Sequence, residues 1–220
     1  MDQTTTTLAE LAVAHPAAAR VFYANRLDFC CGGRRPLTDA CRERGLDAQA
    51  ILAEIRREEA AGEPATRWEL APMPELVDHI VNHYHRRLRA ALPNMVEMAC
   101  RVEARHRDKV ACPVGLAALL EQVQQNVLDH LEKEEAILFP AILRGTGARI
   151  SSPVSVMELE HEHHKSDLLQ IRALTTDLTP PAEACVTWRA LYIGLQQLEQ
   201  ELMEHIHLEN NILFRRALAA

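Results

Sequence analysis

The 220-residue sequence is poor in glycine, with 8 residues, and in aromatic residues, which make up 4% of it. Alanine, leucine, glutamate and arginine are abundant instead, which favours an all-α protein. No run approaches the roughly 18 apolar residues that a membrane-spanning helix needs. The start, MDQTTTTLAE, lacks the basic and apolar regions of a signal peptide. We therefore expect a cytoplasmic protein with no membrane partner.

An excess of basic residues is also missing. The net charge of −7 argues against the basic face of a nucleic-acid-binding protein, so no nucleic-acid partner is expected. The cysteines follow no regular spacing that would indicate a zinc ribbon or a disulfide framework. In the cytoplasm they should be mostly reduced. They are Cys30, Cys31, Cys41, Cys100, Cys112 and Cys185.

The pattern of helix signals divides the chain near residue 65. Residues 1–65 predict a small helical domain, in which Thr7 and Asp47 are placed to cap helices and Gly32-Gly33 end regular structure. Residues 66–220 predict a bundle of four long helices. These begin at Pro74, near Pro113, after Ser151-Ser152-Pro153 and near Ala182, the last running to Leu218.

One stretch of the second bundle helix carries a candidate metal-binding pair. In LDHLEKEEAILFP, His130 and Glu134 lie four residues apart and therefore share one helix face, with Ile137 also expected to point inward. The stretch MEHIHLENNILF repeats the pattern with His205 and Glu209. Two helices that each present an imidazole and a carboxylate indicate a metal site inside a bundle.

The other two bundle helices extend this repeat. His130 and His205 are 75 positions apart, and His85 and His161 are 76 apart. This near-duplication suggests a bundle with pseudo-twofold symmetry around a shared centre. The candidate ligands are His85, His130, Glu134, His161, His205 and Glu209.

Four imidazoles and two carboxylates are too many for one tetrahedral structural zinc ion. They suit two transition-metal ions, and mixed nitrogen and oxygen ligands disfavour calcium and magnesium. Affinity order alone would favour copper or zinc, but inward carboxylates and histidines in a bundle commonly hold two irons. Iron is the metal we predict.

The remaining polar residues near these motifs have simpler interpretations. His83, His163 and His207 are rotated about 200° from the candidate ligand two positions away, so they cannot point inward with it. His164 shares a face with His161 and could support it. Glu135 is expected on the surface, and Glu160 is either solvated or lines access to the centre. Structural or solvated roles are expected for His15, His79 and His106.

Cys30 and Cys31 are candidates for a reactive thiol. Adjacent cysteines rarely form a disulfide with each other, because the resulting ring is strained. A thiolate near a helix N-terminus would have a lowered pKa and could bind iron, exchange a disulfide or react with nitric oxide. The alternative is a small buried pair in a tight turn, and packing roles are expected for the other cysteines.

The ligand pattern resembles the haemerythrin-like domain. With Asp28-Phe29-Cys30-Cys31-Gly32-Gly33 it is similar to the iron–sulfur cluster repair proteins of the ScdA type, over essentially the whole chain. That resemblance implies a non-haem di-iron centre bridged by Glu134 and Glu209, with an oxo or hydroxo bridge. It also implies cytoplasmic repair of iron–sulfur clusters damaged by nitrosative or oxidative stress. Arg215 stands where a proline would mirror Pro140, which should alter the helix end rather than the site.

Three functions follow as hypotheses. The first is a repair factor that handles or donates iron, with damaged iron–sulfur proteins as partners. The second is an enzyme that reduces nitric oxide at the di-iron centre, so whether the protein is an enzyme stays open. The third is a sensor or carrier that binds nitric oxide or oxygen. A homodimer is compatible with each.

Overall fold

The computed structural model describes residues 3–62, 65–145 and 147–219. The chain forms two compact units, each described by itself. The N-terminal unit comprises residues 1–77 and 203–220, and the bundle unit comprises residues 78–202. The domain break predicted near residue 65 stays a prediction, and Glu63 and Pro64 beside it lie outside the described residues.

Helices account for the regular structure of the described residues, as the composition predicts, and the all-α fold is confirmed. The α-helices are α1 (Leu8–Ala14), α2 (Ala17–Ala24), α3 (Leu37–Arg44), α4 (Ala48–Ala61), α5 (Met73–His79), α6 (Arg86–His106), α7 (Leu116–Lys133), α8 (Phe139–Leu143), α9 (Ser151–Leu174), α10 (Val186–Leu208) and α11 (Phe214–Ala219). Three π-helical turns occupy Ile80–His85, Glu134–Leu138 and Glu209–Leu213. Short 3-10 turns occupy Gln3–Thr5 and Gly147–Ile150.

Side-chain caps fix the starts of α1 and α4 in the N-terminal unit. Thr7 and Glu10 form a capping box, in which the Glu10 backbone N–H donates to Thr7 Oγ1 at 3.2 Å and the Thr7 N–H donates to Glu10 Oε2 at 3.0 Å. Asp47 accepts from the Gln49 N–H at 2.9 Å at the start of α4. Both predicted caps are confirmed. These helices enclose an apolar core that includes Leu8, Phe22, Phe29, Leu37 and Ile55.

The turn that follows α2 needs both of its glycines. A Cβ at Gly33 would lie 2.5 Å from the Phe29 carbonyl oxygen and 2.9 Å from Ala9 Cβ. A Cβ at Gly32 would lie 2.8 Å from Asp28 Oδ2. The Gly33 carbonyl in turn accepts from the Ala9 N–H at 2.8 Å, so the turn is held directly against α1.

The bundle unit is built from α6, α7, α9 and the part of α10 that precedes residue 203. Pro93 lies within α6 and does not end it. The fourth helix, predicted as continuous to Leu218, is interrupted by the π-helical turn Glu209–Leu213. The bundle core holds fully buried Leu88, Leu120, Trp188 and Leu191.

The π-helical turn after α7 changes which residues face inward. A π turn is wider than an α turn, so residues after Glu134 are rotated away from an α-helical register. Ile137, which we expected to point inward, is 62% exposed, while Leu138 and Phe139 are buried. A regular 3.6-residue period does not predict this rotation.

No helix in the described parts of the chain combines the length and apolarity that crossing a membrane requires.

Candidate metal centre

The π-helical turns coincide with predicted metal ligands. His85 is the last residue of the turn Ile80–His85, and Glu134 and Glu209 are the first residues of theirs. Such turns occur mostly as single insertions in α-helices, frequently at functional sites. Each turn redirects the side chains at one point of its helix without ending the helix.

In the bundle unit, Glu134 lies between two predicted imidazole ligands. Its Oε1 is 3.5 Å from His130 Nε2, and its Oε2 is 3.5 Å from His85 Nε2. All three side chains are buried, with at most 2% exposure. A carboxylate fully removed from water requires compensating positive charge. The two oxygens therefore face the places where two cations held by different imidazoles would lie.

His161 approaches the same carboxylate from α9. Its Nε2 is 3.1 Å from His130 Nε2, and one ligand atom from each of His130, Glu134 and His161 lies within 4.8 Å of the others. Two facing imidazole nitrogens can approach this closely only if they share a proton or a cation. The structure thus brings four of the six predicted ligands together inside one unit: His85, His130, Glu134 and His161.

Outer hydrogen bonds orient two of these imidazoles. His85 Nδ1 donates to Glu135 Oε1 at 2.7 Å, and Arg89 donates to the same oxygen at 2.7 Å. Although burial raises it, hydrogen bonds from Arg89 and His85 leave the pKa of the Glu135 carboxyl below its ordinary value. Glu135 is therefore a partly exposed charged residue, as predicted, but it also orients a predicted metal ligand.

A matching arrangement holds the second imidazole. His130 Nδ1 donates to Glu160 Oε2 at 2.8 Å, and Lys133 donates to Glu160 Oε1 at 2.6 Å. Glu160 is thus bound to a candidate ligand rather than merely solvated. With Nδ1 protonated toward a carboxylate, Nε2 of a neutral imidazole presents its lone pair to the centre.

Sequence reasoning missed the roles of Glu135 and Glu160 because each carboxylate contacts a histidine on a different helix, not one on its own helix face. Glu135 is one residue past Glu134, about 100° away on an α-helix, and reaches His85 on another helix. Glu160 is one residue before His161 and reaches His130. The signal in the sequence was an acidic residue directly beside a predicted ligand. Such residues are common on any solvated helix.

In the N-terminal unit, His205 and Glu209 form the second predicted pair. His205 Nε2 lies 2.8 Å from Glu209 Oε1, and both side chains are at most 1% exposed. The i, i+4 spacing places them on one face, as predicted. All six predicted ligands are therefore buried, and these histidine and glutamate groups fit a non-haem di-iron site.

The other histidines near the motifs are not part of these groups. His164 is buried with its ring edge-on to His130, at a centroid distance of 4.9 Å. The Asn211 Nδ2 amide donates to His207 Nδ1 at 3.0 Å, and burial lowers the pKa of His207 to about 4. His83 stacks on His79 at 5.0 Å.

A polar cleft opens beside the His130 and Glu160 pair. Its volume is about 200 Å³. The lining residues are Asn126, Asp129, Lys133, Glu160, His163 and His164. Small polar molecules can therefore reach the carboxylate that orients His130.

Cys30 and Cys31 form a third cluster with Asp28, in the N-terminal unit. The two Sγ atoms are 3.7 Å apart, and Asp28 Oδ1 accepts from the Cys31 N–H at 3.1 Å and from the Cys30 thiol at 3.5 Å. The hydrogen bond with Cys31 and burial raise the pKa of Cys30 well above its ordinary value. This is opposite to the lowered pKa expected of a reactive thiolate. The partly exposed Cys31 is the more accessible thiol.

Two family descriptions match the chain. Residues 76–217 match the hemerythrin HHE cation binding domain, a span that contains all six predicted ligands. Residues 4–59 match ScdA_N, a domain of unknown function.

Curated relatives match over nearly the full length. A protein of Musicola paradisiaca is 46% identical over 96% of this chain and 95% of its own, and one of Dickeya chrysanthemi is 45% identical over 96% of each. A protein of Yersinia pseudotuberculosis serotype O:1b is 44% identical over 99% of both chains. Each is named iron-sulfur cluster repair protein YtfE. The chain belongs to this YtfE family, with an N-terminal ScdA_N domain and a hemerythrin HHE domain.

Proposed function

We propose that this protein repairs damaged iron–sulfur clusters through a di-iron centre held by His85, His130, Glu134, His161, His205 and Glu209. The observation that carries the proposal is the position of Glu134, whose two oxygens face two different buried imidazoles. The near-full-length relatives named for cluster repair support the functional part.

In this proposal Glu134 and Glu209 bridge the two irons, together with an oxo or hydroxo group. Bound iron would supply redox chemistry and an exchangeable metal ion. The family match across residues 76–217 and the 75-residue repeat support including His205 and Glu209 with the ligands of the bundle unit.

The chain's own residues set how firmly the imidazoles are held. Glu135 and Glu160 fix the tautomer and ring orientation of His85 and His130. Arg89 and Lys133 balance the charge of these carboxylates from the exposed side. Because Arg89 and Lys133 are both partly exposed, solvent can influence their ion pairs with Glu135 and Glu160.

We further propose action in the cytoplasm on proteins whose clusters were damaged by nitrosative or oxidative stress. We also propose that the chain divides into two domains, residues 1–65 and 66–220. In addition, Cys31 or Cys30 would bind the damaged iron–sulfur proteins or iron. A homodimer is compatible with it.

Repair can be tested with a dehydratase whose [4Fe–4S] cluster has been damaged by nitric oxide. Adding the iron-loaded protein should restore dehydratase activity, and Glu134→Ala should restore much less. Glu132→Ala, which changes an exposed acid two residues away, is the matched control and should behave like wild type. No reactivation by the iron-loaded wild type would reject the repair function.

Chemistry on nitric oxide or oxygen is a second candidate, favoured by the cleft of about 200 Å³ beside Glu160. Continuous production of nitrous oxide from nitric oxide and a reductant would identify an enzyme. Reversible optical changes without product would instead identify a sensor or carrier.

A further inference from the structure

A cysteine and a histidine meet in the bundle unit away from the candidate ligands. Cys185 Sγ lies 3.3 Å from His106 Nε2. His106 is the last residue of α6, which begins next to His85, so about 30 Å of helix separates the two histidines. The pair therefore belongs to a different part of the bundle from the imidazole cluster.

The surroundings hold the imidazole in place. The His106 ring packs against Trp188 with a centroid distance of 5.2 Å, and Trp188 is fully buried. His106 itself is 9% exposed. A ring fixed in this way keeps Nε2 directed at the sulfur.

The thiol lies at the start of a long helix. Cys185 directly precedes α10, and its carbonyl accepts from the Arg189 N–H at 3.0 Å. Arg189 also donates through Nε to the Ala184 carbonyl at 3.0 Å and through Nη2 to the Ala182 carbonyl at 2.7 Å. Cys185 therefore lies at the start of a helix with an imidazole nitrogen 3.3 Å from its sulfur, a setting in which nucleophilic cysteines occur.

The residue that carries this thiol lies at the surface of the bundle unit. Cys185 is partly exposed, and the next residue, Val186, is 85% exposed. Cys41 and Cys112 differ, because they are buried and burial raises the pKa of each. Cys185 is thus a partly exposed residue with a neighbouring proton acceptor, His106.

We propose that Cys185 is a thiol–disulfide exchange site for small disulfides, with His106 as the proton acceptor. The Cys185 S–H bond breaks and its proton passes to His106 Nε2. The sulfur attacks one sulfur of the disulfide, forming a mixed disulfide as the original S–S bond breaks. Cys185 is oxidised, the departing sulfur is reduced, and the leaving thiolate takes the proton from His106.

The test uses the full-length protein and glutathione disulfide as the probe. Samples are acid-quenched over time, and peptide mass spectrometry measures glutathione addition at each cysteine separately. The exposed Cys100 is the internal reference. In wild type, Cys185 should react about tenfold faster than Cys100 despite its lower exposure.

A matched pair of variants isolates the imidazole. His106→Gln should slow addition at Cys185 about tenfold and leave Cys100 unchanged. His79→Gln, which alters a partly exposed histidine on α5, should change neither rate. An unchanged Cys185 rate in folded His106→Gln would overturn the proposal. If that variant does not fold, the rates of glutathione addition at Cys185 and Cys100 in wild type decide the question. A rate at Cys185 equal to or below that at Cys100 would reject the proposed exchange site.

Discussion

Glu135 accepts a hydrogen bond from His85 Nδ1 at 2.7 Å, and this contact joins a residue predicted to be solvated to a predicted metal ligand. Carboxylates that bind the outer nitrogen of a metal-ligating histidine fix its tautomer and raise its basicity. Glu135 is therefore expected to set how tightly His85 holds metal.

Replacing Glu135 tests this directly. Glu135→Ala should weaken iron binding by about 10- to 100-fold, because His85 loses the carboxylate that orients it. Glu135→Gln keeps a hydrogen-bond acceptor and should lose less. Iron titration against a competing chelator measures both, with the exposed Glu132→Ala as control. Equal affinity in all three variants and wild type would show that the contact has no role in metal binding.

The sequence was sufficient to identify the fold class and the ligand candidates, because both depend on periodicity. Four-residue spacing places His130 with Glu134, and His205 with Glu209, on one face of any helix. Caps such as Thr7 and Asp47 were found for the same reason, since they act on backbone groups two or three residues away.

Contacts between helices could not be predicted in this way. The pairing of His130 with Glu160 depends on how α7 and α9 pack, which a local pattern does not encode. The π-helical turn at Glu134–Leu138 was missed because it changes the rotation per residue, and it placed Ile137 in solvent. The contact between His106 and Cys185 also joins distant parts of the sequence.

A buried ion pair supports the bundle unit. Arg172 Nε donates to Glu199 Oε1 at 2.6 Å, and Arg172 Nη2 donates to Glu199 Oε2. Arg172→Met should lower the free energy of unfolding by about 3 kcal/mol, because the Glu199 carboxylate stays buried without this guanidinium. Urea denaturation measures the change. Arg101→Met, which removes an exposed pair with Glu97, should cost less than about 1 kcal/mol. Similar losses in both variants would contradict the prediction.

The turn at Gly33 should not tolerate a side chain. Gly33→Ala places a Cβ against the Phe29 carbonyl and Ala9, so the N-terminal unit should become less stable by roughly 1–3 kcal/mol. Gly194→Ala is the contrasting change. Its Cβ would meet only Met95 Cε at 3.4 Å, and alanine is the better helix former. Thermal unfolding should therefore show a lower midpoint for the first variant and an equal or higher one for the second.

His79 should make stability depend on pH. Burial, with His83 close by, lowers the pKa of His79 to about 4, whereas an unfolded histidine titrates near 6.5. Between these values the unfolded chain binds a proton that the folded chain does not, so wild type loses stability as pH falls. After allowing for solvent screening, the loss in free energy of unfolding is about 1 kcal/mol.

The comparison with His79→Gln isolates that effect. Between pH 7.5 and 4.5, the unfolding free energy of the variant should rise by about 1 kcal/mol relative to wild type. Urea denaturation of both proteins at each pH gives the difference. A difference that stays constant across this range would show that His79 titrates normally in the folded protein.

Metal content and optical spectra of the purified protein test the central claim most directly. We predict two irons per chain with the absorption of a bridged di-iron centre, and loss of iron in Glu134→Ala but not in Glu132→Ala. One zinc per chain without iron, or an unchanged iron content in Glu134→Ala, would contradict the account.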